Sequence, residues 1–387
     1  MNYIHCLNNI SSYGTDLLTD EYELTDEIGD AQGILVRSAA MHDMEFSDNL
    51  LAIARAGAGV NNIPLERCAE EGIVVFNTPG ANANAVKELV LCGLLLGSRG
   101  IVQGIEWCKE NADDPAIAKS AEKAKKAFAG FEIKGKKLGV IGLGAIGAEV
   151  ANAALGLGME VMGYDPFVSV NAAWKLSPAV EHVVDVADIY RECDYITIHV
   201  PAVDGTIGMI DETACDLMKK GVVFLNFSRD TLVDAPAMAN ALAAGKVGTY
   251  VTDFATPEVM KMEHAVVLPH LGASTEEAED NCARMAVIEL MDYIENGNIV
   301  NSVNYPACSM GVCSGEEHRI AVLYDSSALK IDQITELLNK AKVSFDYADQ
   351  ARGGHGYVLI ATSENLDDAT LSQIAALKGI YRIRRIH

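Results

Sequence analysis

An apolar run at residues 137–141 passes directly into Gly142-Leu143-Gly144-Ala145-Ile146-Gly147, and a helical pattern follows. A G-x-G-x-x-G element is weak evidence in a glycine-rich chain, but the strand before it and the helix after it supply the context its mechanism needs. The first glycine permits the tight turn, the second lets a pyrophosphate approach the backbone, and the third lets helix pack on strand. The helix N-terminus then offers unpaired N–H groups to the anion. Asp165 closes the next apolar run, in Gly163-Tyr164-Asp165-Pro166. Its distance from the loop fits an acid that hydrogen-bonds an adenosine ribose diol. A carboxylate there repels a 2′-phosphate and no Arg follows it, so the predicted cofactor is NAD rather than NADP. The cofactor contacts expected from the turn are Gly142, Gly144, Ala145, Ile146, Gly147 and Asp165.

From residue 137 onward, six apolar runs (137–141, 160–164, 195–200, 222–227, 249–253 and 266–268) alternate with helical pieces, which predicts a doubly wound sheet. Before it, runs at 3–7, 33–37, 51–55 and 73–76, with a helix opening at Pro64, predict a smaller parallel sheet. A single long helix is expected over 84–110, as a connector between the two. Ser274-Thr275-Glu276-Glu277 reads as a capping box with Ser274 at the N-cap, opening a helix that Gly297 stops. That helix is expected to return the chain to the first domain. After a small, polar linker at 309–317, the pattern is βαββαβ, a ferredoxin-like unit. The fold class is therefore α/β: a Rossmann-type NAD domain (93–283), a smaller flavodoxin-like substrate domain (1–92 with 284–308), and a C-terminal ferredoxin-like, ACT-type domain (317–387).

The bulk properties exclude several functions. A formal net charge of −24 repels nucleic acid and anionic membranes, so neither is an expected partner. The nine cysteines are dispersed and form no C-x-x-C pair, which argues against a disulfide framework or zinc site and for a reducing cytoplasm. No metal site is expected. The first ten residues lack the basic and apolar regions of a signal peptide, and Lys87, Glu88, Arg99 and Gln103 interrupt the most apolar stretch, 85–105.

Three further residues fall at the ends of predicted strands, where open α/β sheets place their ligands. Arg229 follows the 222–227 run, Glu258 lies beyond the 249–253 run, and His270 follows the 266–268 run. Hydride exchange on a 2-hydroxy acid needs a base for the hydroxyl proton, a cation for the carboxylate, and a group that orients the base. His supplies the first, Arg clamps a carboxylate bidentately, and Glu beside His fixes its tautomer and favours its protonated form. Each alone has a plain structural reading; together, behind a nucleotide fingerprint, they read as catalytic.

At this point the chain resembles the D-isomer-specific 2-hydroxyacid dehydrogenases over residues 33–303. The motifs are Gly139-Val140-Ile141-Gly142-Leu143-Gly144, Asn226-Phe227-Ser228-Arg229, Asp253-Phe254-Ala255-Thr256-Pro257-Glu258 and Leu268-Pro269-His270-Leu271-Gly272. The resemblance implies that Arg229 binds the substrate carboxylate and carbonyl, His270 is the acid/base and Glu258 its partner. It also assigns Val200, Phe227, Ser228, Arg229 and Asp253 to the cofactor, Asp253 near the nicotinamide carboxamide. Two earlier segments resemble those of the phosphoglycerate dehydrogenases within the family. One is a phosphate-contacting turn with Arg37 and Ser38, the other a substrate loop with Arg55, Gly57 and Ala58. The implied substrate is 3-phospho-D-glycerate, a phosphorylated 2-hydroxy acid, bound between two domains that close. The implied assembly is a homodimer or homotetramer with the 84–110 helix near its interface.

The chain departs from the family at Ala145, where a basic residue is common, and in a short loop between Glu258 and His270. Asp325-Ser326-Ser327-Ala328 replaces the Arg-Pro-Gly turn of serine-binding ACT domains, so the tail is read as an assembly element. Two other readings remain: a glycerate, hydroxypyruvate or D-lactate dehydrogenase of the same family, and a non-catalytic NAD-sensing binding protein.

Overall fold

The computed structural model describes residues 1–314 and 317–386; Gly315 and Glu316, inside the expected linker, and His387 lie outside the described residues. By contacts the chain divides into one unit of Met1–Ala81 with Glu279–His387, and a second unit of Asn82–Ala278.

The first unit opens with five parallel strands: β1 (Asn2–Cys6), β2 (Tyr22–Leu24), β3 (Gly33–Val36), β4 (Ala52–Arg55) and β5 (Val74–Asn77). Their order, β2-β1-β3-β4-β5, is the flavodoxin-like one. The edge strand β2 went unrecognised in the sequence because it has three residues, two of them exposed. The inner strands β3 and β4 carry continuous buried runs, as strands covered on both faces must.

The second unit holds seven parallel strands, one more than predicted. These are β6 (Lys137–Ile141), β7 (Glu160–Tyr164), β8 (Glu181–His182), β9 (Tyr195–Ile198), β10 (Val222–Asn226), β11 (Val247–Thr252) and β12 (Ala265–Val267). The additional strand, β8, is two exposed residues at the edge, with no apolar pattern to betray it. The order β12-β11-β10-β9-β6-β7-β8 reverses direction between β6 and β9, which opens a crevice at their carboxyl ends.

The single helix predicted over 84–110 is two, Ala83–Ser98 and Ile101–Glu110, parted by an extended Arg99. The cause is non-local. The Phe131 N–H donates to the Ser98 carbonyl at 3.0 Å and the Gly100 N–H donates to the Phe128 carbonyl at 3.2 Å, so a later segment takes the helix end. Gly130 lies against that carbonyl; a Cβ there would stand 1.9 Å from it. A further helix, Ile117–Ala124, lies where no element was predicted.

The helix Glu276–Asn296 forms as expected and Gly297, at φ +74°, stops it. Its cap differs from the prediction: the Thr275 hydroxyl, not Ser274, accepts the Ala278 N–H at 3.1 Å. Beyond it, β13 (His318–Asp325), β14 (Phe345–Arg352), β15 (His355–Thr362) and β16 (Ile380–Arg385) form an antiparallel sheet in the order β14-β15-β13-β16. With helices Ile331–Lys340 and Asp368–Ala375, this is the ferredoxin-like arrangement.

That sheet shares a core with the first one. Phe76, Tyr293, Tyr305 and Tyr357 stack through tilted and edge contacts at 5.7–6.5 Å. Two arginines of the sheet also satisfy the carbonyls that helix Glu276–Asn296 leaves open at its C-terminus, where cations are favoured. Arg384 donates to the carbonyls of Ile294 (2.9 Å) and Tyr293 and stacks on the Tyr293 ring. Arg319, 1% exposed, donates to the carbonyls of Asn296 and Gly311, both at 2.9 Å, and pairs with Glu317.

Arg319→Leu should therefore cost about 3 kcal/mol, the range for removing one partner of a buried charge network. A lowered urea midpoint, at unchanged slope, is the expected result; an unaltered midpoint would show that water replaces the guanidinium at no cost.

Candidate nucleotide and catalytic site

The glycine turn stands at the carboxyl end of β6, next to the point where strand order reverses. Gly142 has φ +91°, and a Cβ on it would lie 2.5 Å from the His199 carbonyl oxygen. At Gly147 a Cβ would lie 1.9 Å from the Gly142 carbonyl oxygen, so this contact holds the helix Ala145–Gly156 against the strand. Gly144 differs from both: no atom lies within 4 Å of where its Cβ would be. Nothing in the protein requires glycine there. An open, exposed backbone at a helix N-terminus is what an approaching pyrophosphate requires. Ala145 and Ile146 form the first turn of that helix, and Val200 packs against the loop from β9.

Asp165 follows β7, and its two carboxylate oxygens accept the N–H groups of Leu143 (2.9 Å) and Phe167 (2.8 Å). The acid thus pins the glycine loop as well as ending the strand. A carboxylate has about four acceptor positions, so two remain for a ribose diol.

The Phe227-Ser228-Arg229 segment leaves β10 on a lattice of side-chain bonds. The Ser228 hydroxyl donates to the Val200 carbonyl at 3.0 Å, Asn226 Nδ2 donates to the Arg229 carbonyl at 2.8 Å, and the Thr252 hydroxyl donates to the Asn226 carbonyl at 2.8 Å. Asn226 and Thr252, buried and missed as site residues in the sequence, hold this segment in place. Arg229 itself is exposed, and among the described residues its guanidinium donates only to the neighbouring Ser228 carbonyl.

Asp253, 2% exposed, organises the next two loops. Its backbone carbonyl accepts the His270 N–H at 2.9 Å, and its Oδ2 accepts the Gly272 N–H at 3.1 Å. His270 sits at φ +50°, a left-handed conformation these two bonds maintain, and its ring meets Phe254 edge-on at 5.2 Å. Burial pushes the Asp253 carboxyl above its usual value, while the Gly272 N–H and the nearby imidazole oppose that rise. Its Oδ1 is buried with no partner. A buried acceptor with no partner is what a carboxamide donor would satisfy, and the open backbone at Gly144 is what a pyrophosphate would approach, so these residues fit a pyridine nucleotide. Glu258 is exposed, and among the described residues no hydrogen bond joins it to His270; the carboxyl that feels that imidazole is the one on Asp253.

Residues implied for substrate lie on the first unit. The N–H groups of Arg37, Ser38 and Ala39 all donate to Asn8 Oδ1, at 2.8, 3.0 and 3.1 Å, which folds the turn after β3. Asn8 carries no signal of this role in the sequence. Arg55 Nε donates to the Arg37 backbone carbonyl at 3.0 Å, which ties the Arg55 side chain to the turn after β3. Gly57 is favoured beside them by its backbone, at φ +152°, and the Ala58 carbonyl accepts from Asn77 at 2.6 Å. Arg37 pairs with Glu279 at 2.7 Å; both are more than a third exposed, so the pair is weak and an anion can replace it. Among the described residues no cluster suited to a metal ion is present, and no helix is long and apolar enough to cross a membrane.

Comparison with known proteins agrees with this geometry. Residues 93–272 match the family model "D-isomer specific 2-hydroxyacid dehydrogenase, NAD binding domain". The chain is 34% identical over 295 residues to the D-3-phosphoglycerate dehydrogenase of Rattus norvegicus, covering 74% of this chain and 53% of that one. It thus spans about half the length of that relative. It is 34% identical over 315 residues to the hydroxypyruvate reductase of Thermotoga maritima, covering 75% of this chain and 96% of that one. Among solved structures, NAD+-bound 3-phosphoglycerate dehydrogenase of Entamoeba histolytica superposes with a TM-score of 0.62 at 26% identity, covering 78% of this chain and 98% of the other.

Two outcomes follow from the loop and its surroundings. Gly144→Ala should keep the melting temperature of the parent while weakening nucleotide affinity by about tenfold or more, read by fluorescence titration with NADH. Gly147→Ala should lower the melting temperature, because backbone must move; equal behaviour of the two would contradict the assignment. His199, beneath the loop, is half-buried with its Nδ1 sealed from solvent, and desolvation lowers its pKa to about 3. Its neutral form contributes stability that is full above pH 6.5 and is lost as pH falls towards 3. Urea titrations should show the advantage of the parent over His199→Gln shrinking by up to about 1.4 kcal/mol per pH unit across that window.

Proposed function

Because this chain belongs to the D-isomer-specific 2-hydroxyacid dehydrogenase family, we propose that it is an NAD-dependent oxidoreductase that oxidises 3-phospho-D-glycerate to 3-phosphohydroxypyruvate, as in the opening step of serine biosynthesis. The observation that carries the reaction class is Asp253, which fixes His270 through its backbone and keeps a buried acceptor free at the carboxyl end of β11. NAD is preferred because the carboxylate of Asp165, held by two N–H groups, stands where a 2′-phosphate would bring further negative charge.

When bound, the nicotinamide supplies the hydride acceptor. The protein supplies the rest. Arg229, exposed and with a fork of donors, holds the carboxylate and polarises the carbonyl that forms. His270 takes the proton of the 2-hydroxyl, and Phe254 and the Asp253 carbonyl hold its ring in place. Glu258 is assigned as the partner that orients His270 once substrate is present; catalytic hydrogen bonds commonly tighten only in the complex. Arg37, Ser38 and Arg55, with the Gly57-Ala58 turn, hold the phosphate. The working assembly is a homodimer or homotetramer.

The alternative, a hydroxypyruvate or glycerate reductase, is favoured by the similarity to the Thermotoga maritima enzyme, which spans nearly all of that chain. Phosphate dependence separates the two. NADH formation should be faster with 3-phosphoglycerate than with glycerate or D-lactate, and Arg37→Ala should raise KM for the phosphorylated acid by about tenfold or more without changing glycerate turnover. Equal loss on both acids, or none, would favour the alternative. His270→Ala should lower kcat by about 100- to 10,000-fold.

A further inference from the structure

Three successive N–H groups, those of Arg37, Ser38 and Ala39, converge on the single Oδ1 of Asn8 at 2.8, 3.0 and 3.1 Å. Asn8 stands just past β1, and the turn it holds stands just past the neighbouring β3. The carbonyls of that turn are taken by other partners. That of Arg37 accepts from Arg55 Nε at 3.0 Å, and that of Ala39 accepts from Asn62 Nδ2 at 2.8 Å. Successive N–H groups gathered in this way form a concavity suited to an anion. Here a neutral amide oxygen fills it.

A carboxylate would fill it more tightly, because hydrogen bonds to an ionised acceptor are shorter and about twice as strong as those to a neutral one. Aspartate has the shape of asparagine, so the local geometry would accept it. Asn8 is thus the weaker choice for the turn alone, and two properties of the amide favour it for another reason. The first is charge. Aspartate at position 8 would fix a negative charge against the Ser38 N–H, where it would repel a dianion held by the same turn. Glu279, the acid that pairs with Arg37, differs: it is exposed and can swing away when an anion takes its place.

The second is the direction of a proton. Three donors on Oδ1 settle the orientation of the amide, so the atom 3.5 Å from the Ser38 Oγ is Nδ2, a donor. Ser38 is exposed, and among the described residues its own hydroxyl proton is uncommitted. That proton is available to a phosphate oxygen. A carboxylate oxygen in place of Nδ2 would draw it inward and leave only lone pairs towards the anion.

We propose that Asn8 is a specificity-determining residue, which keeps the Arg37–Ala39 turn selective for a dianionic phosphate by being neutral and by presenting a donor to Ser38. This rests on the reading that the turn holds the substrate phosphate. Asn8 itself touches no substrate and acts through the turn.

The test compares the parent with Asn8→Asp and Asn8→Ala in the full-length chain at saturating NAD. Asn8→Asp keeps an acceptor for all three N–H groups, so it should melt at or above the parent temperature, whereas Asn8→Ala should melt lower. Selectivity should fall in a different order. Asn8→Asp should cut the ratio of kcat/KM for 3-phosphoglycerate to that for glycerate by about tenfold or more, mostly through KM. Competitive inhibition by inorganic phosphate should weaken to a similar degree. Asn8→Ala, less stable but uncharged, should keep more of the preference than Asn8→Asp. If Asn8 only shaped the turn, Asn8→Asp would match the parent on both acids; that result, or an equal loss on both, would overturn the proposal. A parent with no preference for 3-phosphoglycerate would overturn the substrate assignment and this proposal with it, whereas a preference that survives in Asn8→Asp would overturn the proposal alone.

Discussion

The backbone contact between Gly142 and Gly147 sets how closely helix Ala145–Gly156 approaches β6, and the nucleotide site depends on that approach. With a side chain at either glycine, the turn would open and the helix N-terminus would leave the sheet edge. Asp165 then ties the loop to β7, and Val200 and Ser228 tie the neighbouring strands to it. The carboxyl ends of four adjacent strands become one rigid rim. Orientation of this kind is where enzymes gain much of their advantage, because reacting groups held in place need no further ordering.

Asp253 extends the rim to the catalytic side. A buried acid with one oxygen committed to Gly272 and the other open is costly for the free protein. The cost is borne at a position where the same residue's carbonyl fixes His270 in a left-handed conformation. Strain and an unmet acceptor therefore coincide at one point, which is where a ligand is expected to relieve them.

The tail sheet is more than an appended module. Arg319 and Arg384 complete the C-terminal carbonyls of the long helix, and Tyr357 donates its hydroxyl to the Gly297 carbonyl at 2.5 Å. The βαββαβ pattern was readable because β13 is a continuous apolar run and the next helix buries Ile334 and Leu338 at helical spacing. Its fusion with the first sheet was not, because a buried arginine looks the same in sequence as an exposed one.

The sequence by itself determined the two parallel sheets, the glycine turn, and the residue types gathered at their strand ends, since each depends on local periodicity or on chemistry carried by neighbouring residues. His270, Arg229 and Asp165 were legible for that reason. Only the tertiary structure decided what depends on partners distant in the chain. The break at Arg99 arises from residues 128–131, and the shape of the Arg37 turn from Asn8. The short edge strands β2 and β8 belong with these, because pairing to a neighbour, rather than any pattern of their own, makes them strands.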